Sequence, residues 1–134
     1  MAKLKTIKES KRNEAKGVWV EYELGIAFKI AKMGNPKFHA KVRELSAPYI
    51  AEIRDGKMPA EKLDEIQREA VAECILVGWR NIEGDDGKAL RYSVKRAKEI
   101  FADEDLQDIY DFVLTEASKQ TNYAIAVGED SAKN

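Results

Sequence analysis

The sequence predicts a mainly α fold opened by an N-terminal β-hairpin, an α+β domain of about four to five helices. Three observations carry this. Residues 18–30 alternate apolar and polar side chains, the period of a strand. The stretches entered at Pro36 and Pro59 repeat apolar residues at helical spacing. A last stripe, Leu106 to Ala117, opens on Asp103 and Asp105, acids that a helix N-terminus favours. At 134 residues the chain has the length of one domain, and its 44% hydrophobic content is enough for one core.

In 18–30 every even position is apolar, from Val18 and Val20 through Tyr22 to Phe28 and Ile30. One strand of that length would be unusual, so the stretch reads as a hairpin over 18–31. Only an odd-membered loop keeps even positions facing even positions. A Glu23-Leu24-Gly25 loop puts Gly25 at the left-handed position and pairs Tyr22 with Ile26, Val20 with Phe28 and Val18 with Ile30.

Gly34-Asn35-Pro36 ends the alternation, with Asn35 as cap and Pro36 at the first helical position. Phe38, Val42, Leu45, Tyr49 and Ile53 then mark an amphipathic helix over 36–54, kinked or divided by Pro48. The next helix is read over 59–80, amphipathic at first and apolar on nearly all sides from Ala70 to Trp79, as a central helix entering the core would be. A polar loop follows to Arg91, Ser93 caps a helix over 93–102, and the final helix spans 105–122. The domain is thus placed at 17–127, between a basic mobile arm, 1–16, and a mobile end, 128–134.

The net charge of -1 conceals two opposite ends. Residues 1–16 sum to +4, residues 103–134 to -6, and the part between to +1. No membrane span is expected, since the longest uncharged run, Gln120 to Gly128, is nine residues against the ~20 a helix needs to cross. The single cysteine, Cys74, excludes an internal disulfide and fits a reducing compartment.

The catalytic inventory is thin, and no enzyme activity, metal or cofactor is expected. His39 is the only histidine and lies beside Phe38 on an amphipathic helix, where a structural role is the ordinary one. Cys74 lies in an apolar helical run and reads as a small core residue. No phosphate-binding loop and no dinucleotide fingerprint occurs. The acidic loop at 81–87 fails the calcium-hand pattern, because a glycine placed at position 6 puts Ile82 or Trp79 at position 1. The lysine-rich arm lacks the interleaved aromatics of a nucleic-acid binder; a small nucleic-acid-associated regulator is the runner-up reading.

Three features taken together resemble the tail assembly chaperones of long-tailed bacteriophages and their prophages. They are the hairpin entering a helix through Gly34-Asn35-Pro36-Lys37-Phe38, the run Leu76-Val77-Gly78-Trp79-Arg80-Asn81-Ile82 followed by an acidic loop and Tyr92-Ser93, and the acidic last helix followed by Thr121-Asn122-Tyr123. The resemblance implies a non-enzymatic protein of the host cytoplasm, absent from the finished particle. It would bind the tape measure protein and help recruit tail tube subunits. It also implies the short form of a frameshift pair, and Ala132-Lys133-Asn134 is compatible with a slippery heptamer. Such a chaperone must cover apolar helical stripes reversibly. The candidate contact residues are Trp19 and Glu21 on the outer hairpin face and its open edge, and the patch of Tyr123, Ile125 and Val127. The same exposed edges allow self-association. Trp79 is expected in the core.

Overall fold

The computed structural model describes Met1 and residues 3–124. Along the chain run α1 (Leu4–Lys16), β1 (Val18–Glu21), β2 (Ala27–Ile30), α2 (Pro36–Ser46), α3 (Ile50–Arg54), α4 (Ala60–Cys74), β3 (Leu76–Arg80), α5 (Val94–Ala102) and α6 (Gln107–Ala117). Short 3-10 turns lie at Ala47–Tyr49, Glu104–Leu106 and Gln120–Asn122. The fold is α+β, as expected: helices pack on a three-stranded antiparallel sheet of order β1-β2-β3. Among the described residues no helix is long and apolar enough to cross a membrane.

The hairpin adopts the register that its alternation dictates. Val18 pairs with Ile30 and Val20 with Phe28, and the Tyr22 N–H donates to the Ile26 carbonyl at 2.7 Å. Gly25 sits at φ +78°, the left-handed position its loop requires. Leu24 is left-handed too, at φ +57°, which the alternation did not foretell; for a leucine that conformation costs about 1 kcal/mol.

The helix expected over 59–80 divides in two. It stops at Cys74, and Leu76–Arg80 is strand β3, which pairs antiparallel with β2. An apolar run this short fits a buried helix or a buried strand equally by periodicity. The free side of β2 decides, because its outward backbone groups need partners and a β-branched, aromatic run supplies them. The other helices stand close to expectation. Pro48 divides 36–54 through a 3-10 turn, and the last helix ends at Ala117 rather than running to residue 122. Asn35 accepts from the Phe38 N–H at 3.0 Å and Ser93 from the Arg96 N–H at 3.1 Å, caps worth about 1 kcal/mol each.

The expected mobile arm is a helix. α1 lacks an apolar stripe of core length, which is why its composition reads as solvated, but its side chains are good helix formers and its end is pinned. Gly17 stops it at φ +89°, where a Cβ would come within 3.0 Å of the Ile30 carbonyl carbon. Glu14, nearly buried, pairs with Lys32 at 2.9 Å and Lys11 at 3.2 Å.

The crossing from β2 into α2 gathers most of the molecule. The Ala31 N–H donates to Ile75 O, Lys32 to Glu14 O and Met33 to Ala117 O, at 2.8, 2.8 and 2.9 Å. The Asn35 amide donates to Lys32 O at 2.8 Å and Cys74 O at 3.5 Å. The Tyr123 hydroxyl, fully buried, donates to Ile30 O at 3.1 Å. Beneath this crossing lies the core of Phe28, Ile30, Val71, Ile75, Leu76, Trp79, Phe101 and Val113. Trp79 is in it as expected, its indole N–H donating to Leu90 O at 2.8 Å.

Two outcomes follow from this crossing. Tyr123→Phe removes one buried hydrogen bond and should cost about 1 kcal/mol in urea unfolding, whereas Tyr123→Ala also leaves a cavity and should cost about 3–5 kcal/mol. Burial raises the Glu14 pKa, but hydrogen bonds and charge from Lys32 and Lys11 outweigh it, and the net shift is downward. A depressed carboxylate contributes fully above the ordinary carboxylate range and loses its contribution as pH falls through its folded value. Hydrogen exchange in α1, corrected for intrinsic rates, should therefore quicken as pH drops below the carboxylate range, and Glu14→Gln should flatten that dependence.

Candidate functional site: the open sheet face and the α2–α4 groove

Of the sequence-predicted contact residues, the structure exposes two and buries one. Trp19, 45% exposed, and Glu21, exposed, project from the sheet face opposite the helices. Tyr123 belongs to the core: its ring fills the space under the crossing and its hydroxyl is bonded to Ile30 O, so it offers nothing to a partner. Its apolar neighbours in sequence read as a surface patch, but a hydroxyl on a buried ring is as good a core anchor as an interface anchor. Ile125 and Val127 lie outside the described residues.

The open face is built by register. Trp19, Lys29 and Gly78 lie side by side across the three strands, and Glu21, Ala27 and Arg80 form the next row. Gly78 carries no side chain, so the Trp19 indole lies over it, with Cη2 3.7 Å from where a Cβ would stand. The Arg80 guanidinium stacks on that indole at 4.6 Å from the ring centroid. Trp and Arg are the residue types that most often dominate interface energies.

A second surface lies along α2, whose apolar stripe contains no buried residue. It runs antiparallel to α4, and between them lies an apolar cavity of about 400 Å³ lined by Met33, Phe38, Val42, Leu63 and Ile66. Leu63 is 46% exposed at its rim, and Ile50 and Ile53 of α3 are exposed as well. Farther along α4, Glu73 bonds Lys41 of α2 at 2.9 Å and Lys98 of α5 at 3.3 Å. The Lys41 hydrogen bond, opposed by burial and helped by Lys98, holds the Glu73 carboxyl below its usual range. Cys74, the last residue of α4, donates its thiol to Lys37 O at 3.6 Å.

Burial foremost, with Glu73 adding to it, pushes the Cys74 thiol up, away from the thiolate a nucleophile needs. His39 is exposed on α2. Among the described residues no group of three or more His, Cys, Asp or Glu side chains is placed to hold a metal ion.

Gly78→Val should lift the indole from the sheet, since a Cβ there stands 3.3 Å from the Lys29 Cβ as well as against Trp19. In a Trp79→Phe background, acrylamide quenching of the remaining tryptophan should rise, with far-UV circular dichroism unchanged.

No curated protein and no solved structure matches the chain. The sequence model of one family, described as YdaY prophage protein, matches residues 33–134, a segment that holds both groove walls, β3 and the two last helices. That segment is about three quarters of the sequence, so the chain belongs to the YdaY prophage protein family.

Proposed function

We propose that this prophage protein is a non-enzymatic tail assembly chaperone that shields an apolar helical segment of the tape measure protein and helps recruit tail tube subunits. The observation that carries the reading is the α2–α4 groove. It is open and mainly apolar, with Ser46 and Gln67 as its polar lining, the form that receives the apolar face of an amphipathic helix. Its walls lie within the segment matched by the prophage family, which supplies the phage setting. Release is part of such a role, and a shallow groove with polar rims suits reversible cover better than a closed apolar socket. Trp19 and Arg80 on the open sheet face offer a separate surface for a tube subunit. The reading extends to a longer frameshifted form in the host cytoplasm, which sequencing of the gene and mass spectrometry of the expressed products would reveal.

A second reading, a nucleic-acid-associated regulator, is favoured by α1. Its Lys5, Lys8, Arg12 and Lys16 are exposed and lie three, four and four residues apart, one basic helix face. It predicts retention on DNA that collapses between low and moderate salt and is lost on reversing those charges.

Co-expression with overlapping fragments of the prophage's tape measure protein decides the first reading. A fragment that aggregates alone should become soluble and co-elute with the chaperone. Leu63→Glu, a change at an exposed rim position, should weaken that complex at least ~30-fold without altering the thermal midpoint. Binding of no fragment, or equal binding by Leu63→Glu, would overturn it.

A further inference from the structure

We infer that copies of this chain dock head to tail, α1 of one against the hairpin tip and α6 of the next. The two surfaces match in charge and in apolar content, and neither is used by the groove reading above.

The first surface is α1. Its C-terminal turn is pinned to the crossing through Glu14, while Leu4 is 75% and Ile7 47% exposed nearer its start. These two are one helical turn apart, next to the face that carries Lys5, Lys8 and Arg12. None of those three cations has an ion-pair partner among the described residues. An apolar pair on a helix that its own fold leaves uncovered, flanked by free positive charge, calls for a partner of opposite charge with its own apolar centre.

The second surface supplies both. Tyr22 and Phe112 meet at 4.8 Å between ring centroids and are only half-buried. Beside them Leu24 stands 94% exposed at the hairpin tip. Around this apolar centre are Glu21 and Glu23 of the hairpin, with Asp108, which shares the Phe112 face of α6, and Asp105 in the 3-10 turn that leads into it. All four carboxylates are exposed and without an ion-pair partner among the described residues.

The tip is held in an unfavourable conformation. Leu24 has φ +57°, and the side chain that steadies its loop, Asn81, is itself left-handed at φ +66° and donates to Gly25 O at 2.9 Å. A leucine at a left-handed turn position where glycine would be relaxed, and almost wholly in water, contributes nothing to the isolated fold. Strain of this kind persists where a displayed side chain is used. A second copy fits this surface, because the complementary helix is on the same chain. Two different patches in contact make a heterologous interface, which closes into a ring or extends as a filament.

Sedimentation velocity and light scattering on the full chain test this. Wild type should associate with rising concentration, and the association should weaken about tenfold or more between ~0.05 and ~0.5 M salt. Lys5→Glu with Lys8→Glu removes the head, and Glu21→Lys with Glu23→Lys removes the tip. Each double variant alone should be monomeric, while an equimolar mixture of the two places two reversed surfaces together and leaves one native pair. That mixture should associate again, because the native pair re-forms and the acidic head of one variant meets the basic tip of the other. Leu24→Gly should weaken association at least tenfold while raising the thermal midpoint, an outcome that misfolding cannot imitate. Wild type monomeric at all concentrations, association that grows with salt, or double variants that assemble as wild type does would each overturn the inference. So would head reversal that abolishes DNA retention and leaves self-association intact. Loss of tape measure binding in Leu63→Glu bears on the groove alone.

Discussion

The crossing of residues 30–35 between sheet and helices is the constraint on which the remainder rests. A chain leaving the centre of a sheet carries backbone donors into a space where water is excluded, and each must find an acceptor. Here successive donors are taken by the ends of α1, α4 and α6, and the Tyr123 hydroxyl caps Ile30 O from the far end of the chain. Elements that hardly touch one another through side chains are thereby fixed in one frame. Lys32 is the pivot: its backbone reaches α1, and its ammonium group meets Glu14 and Gln120.

Fixing the frame in this way leaves two surfaces short of cover. Helices occupy one face of the sheet, and the other is left to Trp19, Glu21, Lys29 and Arg80. The α2 stripe faces α4, yet none of its residues is buried, and Leu63 stands exposed on the facing helix. Open apolar area on a small chain invites association, and here both surfaces are bordered by polar side chains that keep the contact selective.

Much of this was legible in the residues themselves. The hairpin register follows from parity together with Gly25, which selects a three-residue loop and so sets Val20 against Phe28, and Asn35-Pro36 and Ser93 mark helix starts by local chemistry. The errors share one physical cause. Leu76–Arg80 and Tyr123 owe their state to partners distant in the chain, an unsatisfied strand edge and a buried carbonyl, and local period carries no trace of either. α1 is the same case in reverse: its low apolar content is real, and the ion pair and backbone bond that Glu14 makes with Lys32 tie its end to the crossing. The groove escaped notice because a half-covered stripe and a covered one have the same spacing.

The partners of the crossing also set an order in time. Ala31 meets residue 75, Met33 meets residue 117 and Ile30 meets residue 123, so the bonds that finish the first hairpin come from the last helix and the turn beyond it. Closing such distant loops costs entropy before any contact repays it. During synthesis the N-terminal third therefore waits, its hairpin formed but unlocked, until nearly the whole chain is available, and folding completes as one late, cooperative event.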